Sequence, residues 1–179
     1  LYFAAETNPL LAPWTGPYGG VPAFDKMKLA DLKPAVEAAM AKNQAEIDAI
    51  TANKAAPTFE NTIAALEDSG RTLNDVVCYY GIWGSNLSSP EFQAVEPELD
   101  AKFAEFGDKI TQNAALFERI EAVYNSPEKA KLTPEQQRVT WIYYTNFVRA
   151  GAKLSAKAKA RVAAINTELA GYFTKFSQN

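Results

Sequence analysis

The sequence predicts an all-α fold: an irregular bundle of about six helices that follows an extended, proline- and glycine-rich N-terminal arm. Three observations lead there. From about position 30 onward apolar residues recur at steps of three and four, the repeat of one face of an α-helix. Helix-start signatures punctuate that pattern. The clearest is Thr133-Pro134-Glu135-Gln136, a capping threonine, a proline at the first helical place and a glutamine that completes a capping box. No stretch of useful length alternates apolar with polar residues, and no hairpin turn sits between β-branched runs.

Taken in order, residues 1–28 form the arm and residues 29–179 the helical region. Pro9, Pro13, Gly16, Pro17, Gly19, Gly20 and Pro22 prevent a helix in the arm. Interleaved Leu10, Leu11, Trp14, Tyr18, Val21 and Phe24 indicate an arm pinned across a surface, because a free linker would not carry so much apolar area. The first helix carries Leu32, Val36, Met40, Ile47 and Ile50 on one stripe, with Asn43 as its polar member. Pro34 requires a start only a few residues earlier. The segment from Lys54 to Pro57 ends it.

Thr58 is a good N-cap for a second helix, whose stripe reads Phe59, Ile63, Leu66, Leu73, Val77, Tyr80 and Leu87, with Gly70 as a weak point. Ser89-Pro90 starts a third helix over roughly 90–112, with a bend expected at Pro97. A fourth runs from Asn113 through Tyr124, and the fifth from Thr133 to about Ala150, with Gly151 as its stop. Ser155 caps the sixth, on which Val162, Ile165, Leu169, Phe173 and Phe176 repeat as a further stripe. No cap follows Phe176, so that helix is expected to continue in a longer parent molecule.

Composition sets limits on chemistry. The 179 residues contain no histidine and one cysteine, Cys78. Imidazole, the usual general base and the commonest metal ligand, is therefore unavailable, and a Ser-His-Asp or Cys-His arrangement is impossible. A zinc site would have to combine one thiolate with scattered carboxylates, far from any standard ligand set. Cys78 cannot form an internal disulfide, and its place in the run Val76–Tyr80 predicts a buried, inert thiol. The net charge of −3 argues against nucleic acid as a partner. Lys153, Lys157, Lys159 and Arg161 read as a solvated helix face. No stretch approaches the ~20 apolar residues of a membrane span.

Gly16-Pro17-Tyr18-Gly19-Gly20 follows no strand, which argues against a phosphate-binding loop. The carboxylate pairs Glu46 with Asp48, Glu67 with Asp68, and Glu96 with Glu98 sit at spacings that do not converge on one bond. Tyr79, Tyr80, Trp83, Trp141, Tyr143 and Tyr144 could line a peptide groove, although helical spacing equally makes them core. No catalytic, cofactor-binding or metal-binding residue is assigned.

Four blocks go beyond helical patterning. They are Asn8-Pro9-Leu10-Leu11 with Trp14 and Val21-Pro22-Ala23-Phe24-Asp25-Lys26; Pro57-Thr58-Phe59-Glu60-Asn61-Thr62-Ile63-Ala64-Ala65-Leu66-Glu67; Phe147 to Leu154; and Phe176 to Asn179. In this order they resemble the N-terminal region of bacterial peptidyl-dipeptidases of the thimet-oligopeptidase family, from about residue 8 to the end of the chain. The resemblance implies an α-helical zinc metallopeptidase in which two helical halves face each other across a channel, with an H-E-x-x-H helix holding the zinc. No position of this chain matches those ligands, so zinc is expected in the parent enzyme and no cofactor in this chain.

The resemblance further implies that this region forms part of the substrate-channel wall, is inactive alone, and meets short peptides only through the parent and its catalytic domain. The rival reading is a stand-alone helical interaction module. Leu1-Tyr2-Phe3 read as an appended remnant and Ala4-Ala5 as a leader-cleavage site. The compartment is then cytoplasmic, or periplasmic if a signal peptide preceded residues 1–5. Apolar surface left uncovered without the other half is expected to drive self-association, with the last helix as the contact.

Overall fold

The computed structural model describes residues 8–178 and is helical through most of that length. The expectations for residues 1–5 lie outside the described residues. Helix α1 spans Leu29–Ala52. A π-helical segment, Phe59–Ala64, runs directly into the short α2, Ala65–Asp68. Then follow α3 (Arg71–Asn86), α4 (Pro90–Thr111), α5 (Ala114–Asn125), α6 (Pro134–Arg149) and α7 (Ala156–Ser177). Among the described residues extended pairing is confined to the bridge Thr15↔Val21. The all-α reading holds.

By internal packing the chain forms two compact units. One comprises the described residues up to Gln44 together with Gly70–Leu99; the other comprises Ala45–Ser69 and the residues from Asp100 onward. The division falls within α1 and within α4.

In the first unit the arm is less extended than its prolines suggest, because it winds into three 3-10 turns, Pro9–Leu11, Pro17–Gly19 and Phe24–Lys26. It is pinned as expected. The first turn packs on α3 and Leu10 is fully buried, while Asn8 Nδ2 donates to the Asp31 carbonyl at 2.7 Å. Further along, the Ala23 N–H donates to Tyr79 Oη at 2.9 Å, and the rings of Trp14 and Phe24 meet Tyr79 edge-on. Burial of Leu32, Val36 and Met40 on α1 follows the stripe, and each fully buried aliphatic side chain contributes roughly 1.5–3 kcal/mol.

The second predicted helix is corrected by the structure. It starts at Thr58 as expected but is not one rod. Ser69 is extended and Gly70 takes a left-handed φ of 74°, so the backbone turns before α3 begins. That turn resets the helical phase. Val76, Tyr79 and Trp83 face inward on α3, whereas Val77 and Leu87 of the expected stripe are exposed. The same phase leaves Cys78 half-buried rather than buried. α4 continues through Pro97.

In the second unit α5 packs on α6, and the π segment packs on both. Their shared core contains Ile47, Ile50, Ile63, Leu66, Leu116, Phe117, Ile120, Val123, Phe147 and Ala152. The caps are those the sequence announces. Asn113 Oδ1 accepts from the Leu116 N–H, and the Thr133–Gln136 box closes in both directions. Gly151, at φ 98°, ends α6.

α7 begins at its Ser155 cap, as expected. Its inward side carries three polar ties beside half-buried Val162, Ala163 and Ala170: Lys159 Nζ reaches the Gln112 carbonyl at 3.2 Å, Asn166 Nδ2 donates to Asp108 Oδ1 at 2.7 Å, and buried Thr174 bonds Asp100. Of the apolar stripe Val162 is half-buried, whereas Ile165, Leu169, Phe173 and Phe176 face solvent.

Candidate functional site

The motif block Pro57–Glu67 lies in the second unit and gives Ile63 and Leu66 to its core, and its residue types have a structural reason. Thr58 Oγ1 accepts from the Asn61 N–H at 3.2 Å, and the Thr58 N–H returns a bond to Asn61 Oδ1 at 2.9 Å. This is a capping box built with asparagine where glutamate or glutamine is usual. Asn61 Nδ2 also donates to the Ala56 carbonyl at 2.9 Å, which fixes the loop that enters the box.

Beneath the box lies Arg119, buried on α5. Its Nη1 donates to the carbonyls of Asn53 and Ala55 at 2.9 and 3.3 Å, and its Nη2 to Asn61 Oδ1 at 2.9 Å. The planar guanidinium thus ties the end of the α1 loop to the start of the π segment with neutral acceptors. A compact ammonium could not reproduce that fork. Sequence reading missed Arg119. The available signal was its spacing: Leu116, Arg119, Ile120 and Val123 share one helical face, so a charged residue stood on a buried stripe.

Beside this lock opens a cleft of about 270 Å3 bounded by Pro57, Thr58, Phe59, Glu60, Val123, Ser126 and Leu132, with Glu128, Lys129 and Lys131 on its margin. Its floor is apolar and its margin carries both signs of charge. Those charges are already paired: Lys131 bonds Glu128 at 2.7 Å, and the Lys129 ammonium lies 3.9 Å from the centre of the Tyr124 ring. The cleft offers a shaped apolar contact but no nucleophile–base pair.

Tyr124 in turn stacks on Tyr144, with centroids 4.0 Å apart and planes within 2°, and Phe117 stacks on the other partner. Lys153 closes the group with an ion pair to Glu121 at 2.8 Å and a bond to Tyr144 Oη at 3.0 Å. The Glu121 bond, then the Tyr144 bond, raises the Lys153 pKa. Burial, reinforced by a hydrogen bond to Glu67, raises that of Tyr143.

The six aromatics considered as a groove divide between the two units. Tyr79 and Trp83 are buried in the first unit, where Tyr80 lies against Phe92. In the second unit Tyr143 and Tyr144 are half-buried and Trp141, under the Arg138 guanidinium, is exposed. The carboxylates serve locally: Glu98 pairs with Lys33 at 2.6 Å and Glu67 with Tyr143. Lys153 and Lys159 of the basic stretch have specific acceptors, while Lys157 and Arg161 are exposed. Among the described residues no group of three or more His, Cys, Asp or Glu comes together to hold a metal, and no helix is long and apolar enough to cross a membrane.

The described residues form packed helices with a motif-built lock, and comparison with known proteins gives the chain a kinship. No protein-family model matches the chain. It is 35% identical over 173 residues to a dipeptidyl carboxypeptidase of Salmonella typhimurium, covering 97% of this chain and 25% of that enzyme. The Escherichia coli dipeptidyl carboxypeptidase is 36% identical over 171 residues, with 96% and 25% covered. Oligopeptidase A of Salmonella typhimurium is 22% identical over 173 residues, again with 25% of that enzyme covered. The chain is thus a relative of dipeptidyl carboxypeptidase and oligopeptidase A, as its motif blocks imply, and spans about a quarter of the length of these curated relatives.

Proposed function

We propose that the chain is the N-terminal helical region of a zinc metallopeptidase that releases dipeptides from the C-termini of short peptides. In this reading it supplies part of the substrate-channel wall and performs no chemistry itself. The observation that carries the proposal is the identity of 35% with a dipeptidyl carboxypeptidase, sustained over 97% of the chain. The fold supports a wall role. Rigid helices tied by Arg119 and by the Tyr124–Tyr144 stack present fixed surfaces, as a steric filter requires.

The residues present do not fit a zinc site. They include no histidine, the single cysteine is half-buried on α3, and among the described residues it belongs to no group of three or more potential ligands. No catalytic step is therefore assigned to this chain, and zinc belongs to the proposed remainder of the enzyme. The test is to assay the full polypeptide and the 179-residue chain against blocked tripeptides and tetrapeptides, with and without a chelator. The full polypeptide should release C-terminal dipeptides in a chelator-sensitive manner and the chain alone should not. Chelator-sensitive cleavage by the chain alone would overturn this division of labour.

A further inference from the structure

α7 is built the wrong way round for a surface helix. Its docked side is tied down by Lys159, Asn166 and Thr174, whose partners Gln112, Asp108 and Asp100 lie on or just beyond α4. Its outward side carries Leu169, Tyr172, Phe173 and Phe176, with Tyr172, Phe173 and Phe176 exposed by 63%, 67% and 81%. These four residues alone line a hollow of about 380 Å3. Rotating the helix to bury the stripe would break all three polar ties, so the exposed face is not a misplaced core. Contiguous apolar surface of this kind marks a site that another surface covers.

We infer that this hollow receives apolar side chains from the remainder of the parent polypeptide, the part corresponding to the length of its relatives beyond the quarter matched here. The inference rests on the reading of the chain as part of a longer peptidase. It adds the surface through which this region meets the rest. Two arguments favour that occupant over a second copy. The relatives carry about three times as much chain again, ample for a further helical layer. A tethered segment also acts at an effective concentration in the mM range, which a second molecule does not reach at ordinary protein concentrations. The lining dictates the chemistry: aliphatic or aromatic knobs fit, and a charged segment would lose its hydration without a partner.

The experiment compares thermal unfolding of the full polypeptide with that of its Phe173→Ser/Phe176→Ser variant, using Tyr18→Ser, at a 99% exposed aromatic, as the control. A drop of several degrees in the double variant, independent of protein concentration and absent from the control, supports the inference. Melting temperatures that match in all three proteins overturn it, as does a drop that appears only with concentration-dependent dissociation, which would make a second copy the occupant. A reading frame that stops at Asn179 instead ends the parent-enzyme reading, so the two failures are separable.

Discussion

The Arg119 guanidinium donates to Asn61 Oδ1 at 2.9 Å, and through that one oxygen the middle of α5 fixes the first turn of the π segment. Asn61 Oδ1 also accepts from the Thr58 N–H and from Thr62 Oγ1, so a single side-chain amide joins cap, helix and cation. Charge-assisted bonds of this kind are each worth about 1.5–3 kcal/mol.

Arg119→Ala is therefore expected to destabilise the chain by at least about 1.5–3 kcal/mol, because three charge-assisted bonds, to the Asn53 and Ala55 carbonyls and to Asn61 Oδ1, are lost together. Arg119→Lys should rescue little, since one ammonium cannot span the three acceptors. Denaturant midpoints measure both. A lysine variant as stable as the wild type would refute the fork as the source of the effect.

The capping box at Thr133 gives a smaller, local prediction. Thr133→Ala removes the oxygen that accepts from the Gln136 N–H and should cost about 0.5–2 kcal/mol. Thr133→Ser keeps the acceptor and should cost less. A thermal melt in which the two variants behave alike would argue against the cap.

Two glycines on either side of one helix start should respond with opposite signs. Gly70→Ala places a Cβ in a left-handed conformation and 3.2 Å from both polar atoms of the Asn43 amide. The conformational term alone costs roughly 1–2 kcal/mol. A Cβ at Gly81, within α3, meets nothing within 4 Å, so Gly81→Ala should stabilise by about 0.4–1 kcal/mol. Stabilities that shift in the same direction for both variants would contradict this assignment.

Tyr143 sets an alkaline limit. Its folded-state pKa is raised above the ordinary value near 10, first by burial and then by Glu67. The unfolded chain ionises first as the pH rises, so this contribution to stability is whole below about pH 10 and is lost from there upward through the folded pKa. Melting temperatures recorded across this range should fall more steeply for the wild type than for Tyr143→Phe. Parallel curves would show that the phenol does not titrate between the two states.

Much of the fold was legible because helix ends carry their own chemistry. Thr58, Asn113, Thr133 and Ser155 each cap the helix predicted from them. The break at Ser69–Gly70 was not legible in full. A glycine within a periodic pattern lowers helix propensity, but only the backbone reveals the left-handed turn that moved Val77 outward and Val76 inward. The stripe of α7 teaches a related lesson. Periodicity correctly placed Leu169, Phe173 and Phe176 near one another, yet periodicity does not say whether a shared face is covered. Arg119 escaped notice because an isolated arginine in a helix is usually solvated, and two of its three acceptors are main-chain carbonyls more than 60 residues earlier.

Zinc titration of the isolated 179-residue chain, read by elemental analysis after dialysis, tests most directly whether this region holds a reactive metal. No equivalent of zinc should be retained. One tightly held zinc per chain would contradict the proposed role, because a metal centre would then exist without histidine and without the proposed remainder of the enzyme.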